Sequence, residues 1–187
     1  MKKGFKQLIT GFLFIFLNIQ IVVDLLPDFI GYIFIYNGIK QIANLSNQSY
    51  ETLKKLCITL AILSVPNFFL NGQMMQQIEW LKYYPSLLTL VNIVLVYYLF
   101  VLLRAVVTLL PTDEALYRTN RMFSWYMVVT LSTLFIQSFL MNIPLNMSFL
   151  LMIIVIIASF IIQVSLLVYL HNIQKKFPKD SMIDKFI

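Results

Sequence analysis

The sequence predicts an all-α fold: a polytopic bundle of six transmembrane helices forming a single integral membrane domain over residues 1–187. Three observations predict it. The first is composition. The chain is 60% hydrophobic and 12% charged, with a mean hydropathy of +0.83, whereas soluble domains run about 45–50% apolar and about 25% charged. A chain of this length has too much surface for its volume to hide that many apolar side chains from water, so hydrocarbon is the expected solvent. The second is a series of six apolar runs near the length that a bilayer demands. The third is the gathering of basic residues at alternate ends of those runs.

A bilayer core of about 30 Å takes about 20 helical residues at a rise of about 1.5 Å each. The first span is expected over about residues 8–25, after the basic start MKKGFKQ. That start imitates a signal peptide, but no small-x-small cleavage site follows, so the run is read as a retained span. Pro27 interrupts, and the second span covers about 28–44. Asn18 and Gln20 shorten the first run and Lys40 ends the second. The pair is expected to cross fully, with little tilt or with local thinning of the bilayer. A shallow re-entrant hairpin would return the chain to the same side.

The third span covers about 53–70 and contains Pro66. A proline there removes one backbone hydrogen bond and should kink the helix, with Ser64 and Asn67 placed to satisfy the freed carbonyls. The fourth, about 85–110, is stopped by Pro111, and Thr112 is expected to cap a short interfacial helix. The fifth covers about 122–142 and the sixth about 146–171, joined by the tight turn NIPLN.

Orientation follows from counting. With the N-terminus inside, 13 of the 14 Lys and Arg residues fall on inner segments and only Lys82 falls outside. The loops are short, so the positive-inside rule places both the N- and the C-terminus in the cytoplasm. The net charge of +6 and pI near 9.4 therefore describe contact with the lipid bilayer and its anionic headgroups. No basic, aromatic-studded polar segment exists to carry nucleic acid, and none is expected as a partner.

Absent motifs limit the chemistry. The sequence has no H-E-x-x-H, no G-x-S-x-G, no P-loop and no Gly-rich dinucleotide loop. Cys57 stands alone, which excludes an internal disulfide and a Cys-rich zinc site and suggests a small buried hydrophobe. His171, the single histidine, sits at the inner end of the sixth span beside Lys175 and Lys176. Arg104 lies near the inner end of the fourth span and can snorkel. No enzyme, cofactor or metal site is expected.

Two groups of residues remain as candidates. The segment VVDLLPDFIGY places Asp24 and Asp28 on either side of Pro27. Pro27 suits the first helical position and Asp28 complements the positive helix N-terminus, which makes a capped outer turn. Two carboxylates four residues apart also have the chemistry of a hard-cation or proton site, and the tip is a place for a partner to dock. Gly31 and Gly38, seven apart, allow close helix approach, with Tyr32 and Tyr36 beside them. The second group is polar and lies at membrane depth: Asn18, Asn37, Asn67, Asn92, Gln137 and Gln163. Such amides are expected to face the bundle and bond across helices. Thr130, Thr133 and Gln137 share one stripe, and Ser159 and Gln163 another. The stripes read as interhelical glue or as the wall of a cavity for a small neutral solute.

The segment IVVDLLPDFIGYIFIYNGIKQI resembles the N-terminal hairpin of a group of small bacterial integral membrane proteins marked by an (I/L)LPDFIGY segment, matched here by Leu25, Leu26, Pro27, Asp28, Phe29, Ile30, Gly31 and Tyr32. The resemblance covers about a quarter of the chain. It implies a six-span membrane protein and no activity. Richness in Ile, Phe, Asn and Lys fits an AT-rich bacterial genome, so a multi-pass protein of the bacterial cytoplasmic membrane is expected.

The expected function is non-enzymatic: a membrane-embedded binding or assembly subunit working with membrane or cytoplasmic protein partners. The alternative is a small-solute or ion transport component. Size and topology are similar to the substrate-capturing subunits of energy-coupling vitamin transporters, although the first span lacks an A-x-x-x-A patch.

Overall fold

A computed structural model describes residues 2–18, 27–44, 50–69, 83–111, 113–139 and 145–177. These residues form six α-helices, α1 (Lys2–Asn18), α2 (Asp28–Ala43), α3 (Glu51–Phe69), α4 (Tyr84–Val107), α5 (Asp113–Phe139) and α6 (Leu145–Lys176). Among the described residues there is no strand.

The bounds of α2, α3 and α4 lie within about three residues of the expected spans. Three others differ. Helix α1 starts at Lys2, so the basic start is already helical. Helix α5 begins at Asp113 and absorbs the short interfacial helix expected before residue 122. The cause is local. Asp113 and Glu114 occupy the first turn, where the helix dipole favours acids. Arg118 then bonds Glu114 one turn back at 2.6 Å, and no Gly or Pro interrupts before Phe139. Thr112, the expected cap, lies outside the described residues. Helix α6 continues to Lys176, past the expected end at residue 171.

Three of the helices are long and apolar enough to cross a membrane: α4, α5 and the Ser148–Lys176 part of α6. Helices α1 and α2 have 17 and 16 residues, about 25 Å each at the α-helical rise. Helix α3 has 19 residues and carries Glu51, Lys54 and Lys55 in its first two turns.

Each helix packs against the next in sequence, and α6 returns to α1, which closes a ring; α2 also touches α4. Neighbours run antiparallel. Gly4 meets Gly38 while Gly11 meets Gly31 across α1 and α2. The Tyr84 hydroxyl at the start of α4 donates to the Leu63 carbonyl near the end of α3. The ring closes where the Gln174 side-chain amide donates to the Lys2 carbonyl at 2.8 Å and where Phe5 stacks on Phe177 with centroids 5.5 Å apart. Further along the same seam Phe16 meets Phe160 at 5.1 Å.

An even number of alternating helices puts the described chain ends at one end of the bundle. That end carries Lys2, Lys3, Lys6, Lys40, Lys54, Lys55, Arg104, Arg118, Arg121, Lys175 and Lys176. Among the described residues the opposite end carries a single Asp, Glu, Lys, Arg or His residue, Asp28.

The core centres on α4, where Leu95, Leu99, Phe100, Leu102, Leu103 and Val106 are fully buried. By contrast α5 and α6 turn wide apolar faces outward, with Phe135, Phe149, Leu150 and Ile161 all more than half exposed. Apolar faces of that extent are uncommon on soluble monomers and suit lipid tails. Cys57 is fully buried and unpaired, as a small hydrophobe would be. Helix α3 passes through Pro66 without a break. Ser64 donates to the Ala61 carbonyl at 3.0 Å, not to the Ile62 carbonyl that Pro66 frees.

Candidate functional site

The hairpin of α1 and α2 is built on glycine. A methyl group on Gly31 would lie 2.8 Å from the Gly11 carbonyl oxygen, and one on Gly11 would lie 2.6 Å from the Gly31 carbonyl oxygen. Gly38 stands in the same relation to Gly4, its methyl 2.8 Å from the Gly4 carbonyl oxygen. Backbones in lipid approach this closely only where side chains vanish. Four of the chain's five glycines serve this one contact. The packing role expected for Gly31 and Gly38 is therefore present, and Gly4 and Gly11 are partners that the sequence reading missed. Their seven-residue spacing on α1, equal to that on α2, was the available signal. Around the glycines Leu8, Ile35, Ile39 and Ile42 are fully buried, and the Gln41 side-chain amide Nε2 donates to the Gln7 side-chain Oε1 at 2.7 Å.

At the hairpin tip, Pro27 is the N-cap of α2, with extended ψ of 130°, one residue earlier than the expected first helical position. Its carbonyl accepts from the Ile30 N–H at 3.0 Å. Asp28 is half-buried in the first turn, where the helix N-terminus favours a carboxylate. Asp24 lies outside the described residues. Tyr32, one turn into α2, is buried. It lines a groove of about 290 Å³ between α2 and α3 together with Phe29, Tyr36, Cys57 and Ile62.

The polar interior is smaller than expected. Asn92 of α4 and Gln163 of α6 both line a small space of about 30 Å³ that Phe12, Ile15, Phe16 and Tyr126 also line. The Asn92 Oδ1 and Gln163 Oε1 atoms are buried, and neither has a hydrogen-bond partner among the described residues. About 10–15 Å³ suffices for a water molecule, so the space suits a water or a small dehydrated cation and excludes an organic solute. Asn37 is half-buried on α2. The side chains of Asn18 and Asn67 lie outside the described residues.

Gln137 does not face the bundle. It is exposed, and this corrects the expected stripe. The buried residues of α5, Ala115, Thr119, Tyr126 and Thr133, end at Thr133. Beyond that point no described helix covers α5, so a face continued by sequence spacing opens outward. Thr133 instead bonds the Thr130 carbonyl of its own helix at 2.9 Å.

Toward the cationic end, an aromatic cluster joins α4, α5 and α6. The Phe100 ring meets Phe123, Tyr126 and Tyr169 at centroid distances of 5.4, 6.3 and 6.0 Å. The Tyr169 hydroxyl donates to Thr119 Oγ1 at 2.7 Å, and Thr119 donates to the Ala115 carbonyl, also at 2.7 Å. Arg104 is half-buried with its guanidinium 4.5 Å from the Phe123 ring centroid, a cation–π contact. It leans on a neighbouring helix. Next to this cluster, α5 and α6 leave a cleft of about 380 Å³ rimmed by Arg118, Arg121 and Lys176. Among the described residues no group of three or more His, Cys, Asp or Glu side chains is placed to hold a metal ion.

No protein-family model, curated protein or solved structure gives a match to this chain.

Proposed function

We propose that this protein is a non-enzymatic, six-span subunit of a bacterial cytoplasmic membrane that binds or assembles partner proteins, with both chain ends in the cytoplasm. The six-span topology is supported by the sorting of cations in an antiparallel ring: the described Lys and Arg residues gather at one end, and positive residues are retained on the inner side. Helices α1 and α2, short for a span, cross with local thinning of the bilayer. The resemblance of the LLPDFIGY hairpin to small bacterial membrane proteins fits the same placement.

One observation carries the assembly reading. Among the described residues, the space between α1, α4, α5 and α6 at Asn92 and Gln163 holds only about 30 Å³, while grooves of about 290 and 380 Å³ open on the outside of the bundle. Recognition by such a molecule happens on its flanks. The α2–α3 groove, apolar and bordered by Ile33, Ile58 and Ile62, faces membrane depth and suits another helix. The test is cross-linking in intact membranes followed by purification in mild detergent. The same partner should be recovered repeatedly, and Ile62→Trp, which fills the groove, should reduce its yield. Recovery of this chain alone under several conditions would refute the assembly reading.

A second reading, ion or small-solute transport, is favoured by the unpartnered Asn92 and Gln163 oxygens, which have the chemistry to accept from a cation's hydration shell or replace it. Thermal unfolding of the purified protein across alkali cations discriminates. A cation-specific rise that Asn92→Leu abolishes supports transport, and its absence leaves the interior amides as packing groups.

A further inference from the structure

The cleft between α5 and α6 has a graded lining. On α6 it takes Val164, Val168, Asn172 and Lys176, successive at one helical turn, so that face passes from aliphatic to amide to cation toward the helix end. On antiparallel α5 it takes Trp125, then Met122 and Arg121, then Arg118 and last Ala115, so its two cations lie toward the same end of the cleft as Lys176. Trp125 and Val168 are more than half exposed. Glu114 pairs with Arg118 at 2.6 Å, and among the described residues no acid lines the cleft itself. The rim keeps an excess of positive charge through Arg121 and Lys176.

A wall that is apolar at depth and cationic at the mouth complements one kind of molecule, an amphiphile with a hydrocarbon tail and an anionic head. We propose that this cleft binds an anionic glycerophospholipid. One acyl chain lies along Val164, Val168 and Trp125, and the phosphodiester meets Arg121, Lys176 and Arg118. Basic pockets between membrane helices serve the same physical purpose for acidic headgroups. A free phosphate would engage the rim and leave the apolar wall uncovered. The bound lipid would tie α5 to α6 at the level where the Tyr169–Thr119 bond already joins them. The inference rests on the membrane placement proposed above, and on neither the partner nor the leaflet.

The test uses the full chain purified in a neutral detergent. Dioleoylphosphatidylglycerol, dioleoylphosphatidylcholine and inorganic phosphate are each titrated while thermal unfolding is followed, and retained lipid is read by native mass spectrometry. Phosphatidylglycerol should raise the unfolding midpoint and stay bound. Arg121→Gln combined with Lys176→Gln should weaken it about tenfold or more. Lys54→Gln with Lys55→Gln, a charge loss on α3, should leave the affinity unchanged. If the first pair of substitutions prevents folding, Val168→Trp occupies the exposed groove with every charge intact and should lower retention alone. Equal stabilisation by phosphatidylcholine, equal stabilisation by inorganic phosphate, or an equal loss in the α3 variant would each overturn the proposal. Partner capture is measured separately, so its failure with lipid retention intact would sink the assembly reading and leave the lipid site standing.

Discussion

Gly11→Ala places a methyl carbon 2.6 Å from the Gly31 carbonyl oxygen and 2.6 Å from Ile35 Cγ1. The oxygen belongs to backbone, so the two helices must part. Gly4→Ala meets first the Ile42 side chain at 2.8 Å, with the Gly38 carbonyl at 3.2 Å, and a side chain can rotate. We expect Gly11→Ala to cost about 1–3 kcal/mol, the range of overpacked cores, and Gly4→Ala to cost less. Unfolding by a denaturing detergent ranks the two, and the reverse order would contradict the geometry. At Asn92 the expectation runs the other way. A buried acceptor without a partner costs about 1–3 kcal/mol, so Asn92→Leu should leave stability unchanged or raise it in the absence of a bound ion. A large loss measured in the same assay would mean that the amide is held by a group that matters to the fold. Gly31 and Asn92 were visible in the sequence as residue types at membrane depth, whereas Gly4 and Gly11 were missed. Which carbonyl Gly11 faces, and that Asn92 lines one space with Gln163, depend on helix rotation, and one residue of rotation is about 100°.

Helices were legible where the chain punctuates itself. Pro27, the polar segment before Glu51 and the proline pair at Pro85 and Pro111 set α2, α3 and α4 nearly where they stand. The start of α5 was hidden because Asp113, Glu114, Arg118 and Arg121 look like a loop by hydropathy, and only their i,i+4 pairing and dipole preference make them helix. Gln137 was misplaced for a different reason. Periodicity tells which residues share a face, but a neighbouring helix decides how far along its length that face is covered. Between α5 and α6, Tyr169→Phe removes the bond to Thr119 while keeping the ring against Phe100. Interhelical bonds of this kind contribute about 0.6 kcal/mol in membranes, so the variant should lose that order of stability. A double-mutant cycle with Thr119→Val should return a coupling of the same size, and zero coupling would show that the hydroxyls stabilise nothing across the helices.

For the whole molecule, charge is the most legible quantity, because it needs no knowledge of packing. The cations that counting assigns to one side lie at one end of the folded ring wherever the structure describes them. Single cysteines in a Cys57→Ala background test the placement. A membrane-impermeant maleimide added to intact cells should label Tyr83→Cys and spare Asp113→Cys and Lys176→Cys until the membrane is opened. Labelling of Asp113→Cys in sealed cells would reverse the orientation. Closure of the ring was not legible, since nothing in local pattern says that the sixth helix meets the first.

That seam has a consequence for biosynthesis. Gln174 and Lys2 are 172 positions apart, so the joint cannot form before α6 has been made, and pairings so distant in sequence are slow to form. Until α6 leaves the ribosome, the flank of α1 holding Phe5 and Phe16 waits without its mate. A nascent chain stalled after α5 should therefore be the form most open to insertase and protease, and release of α6 should end that vulnerable interval.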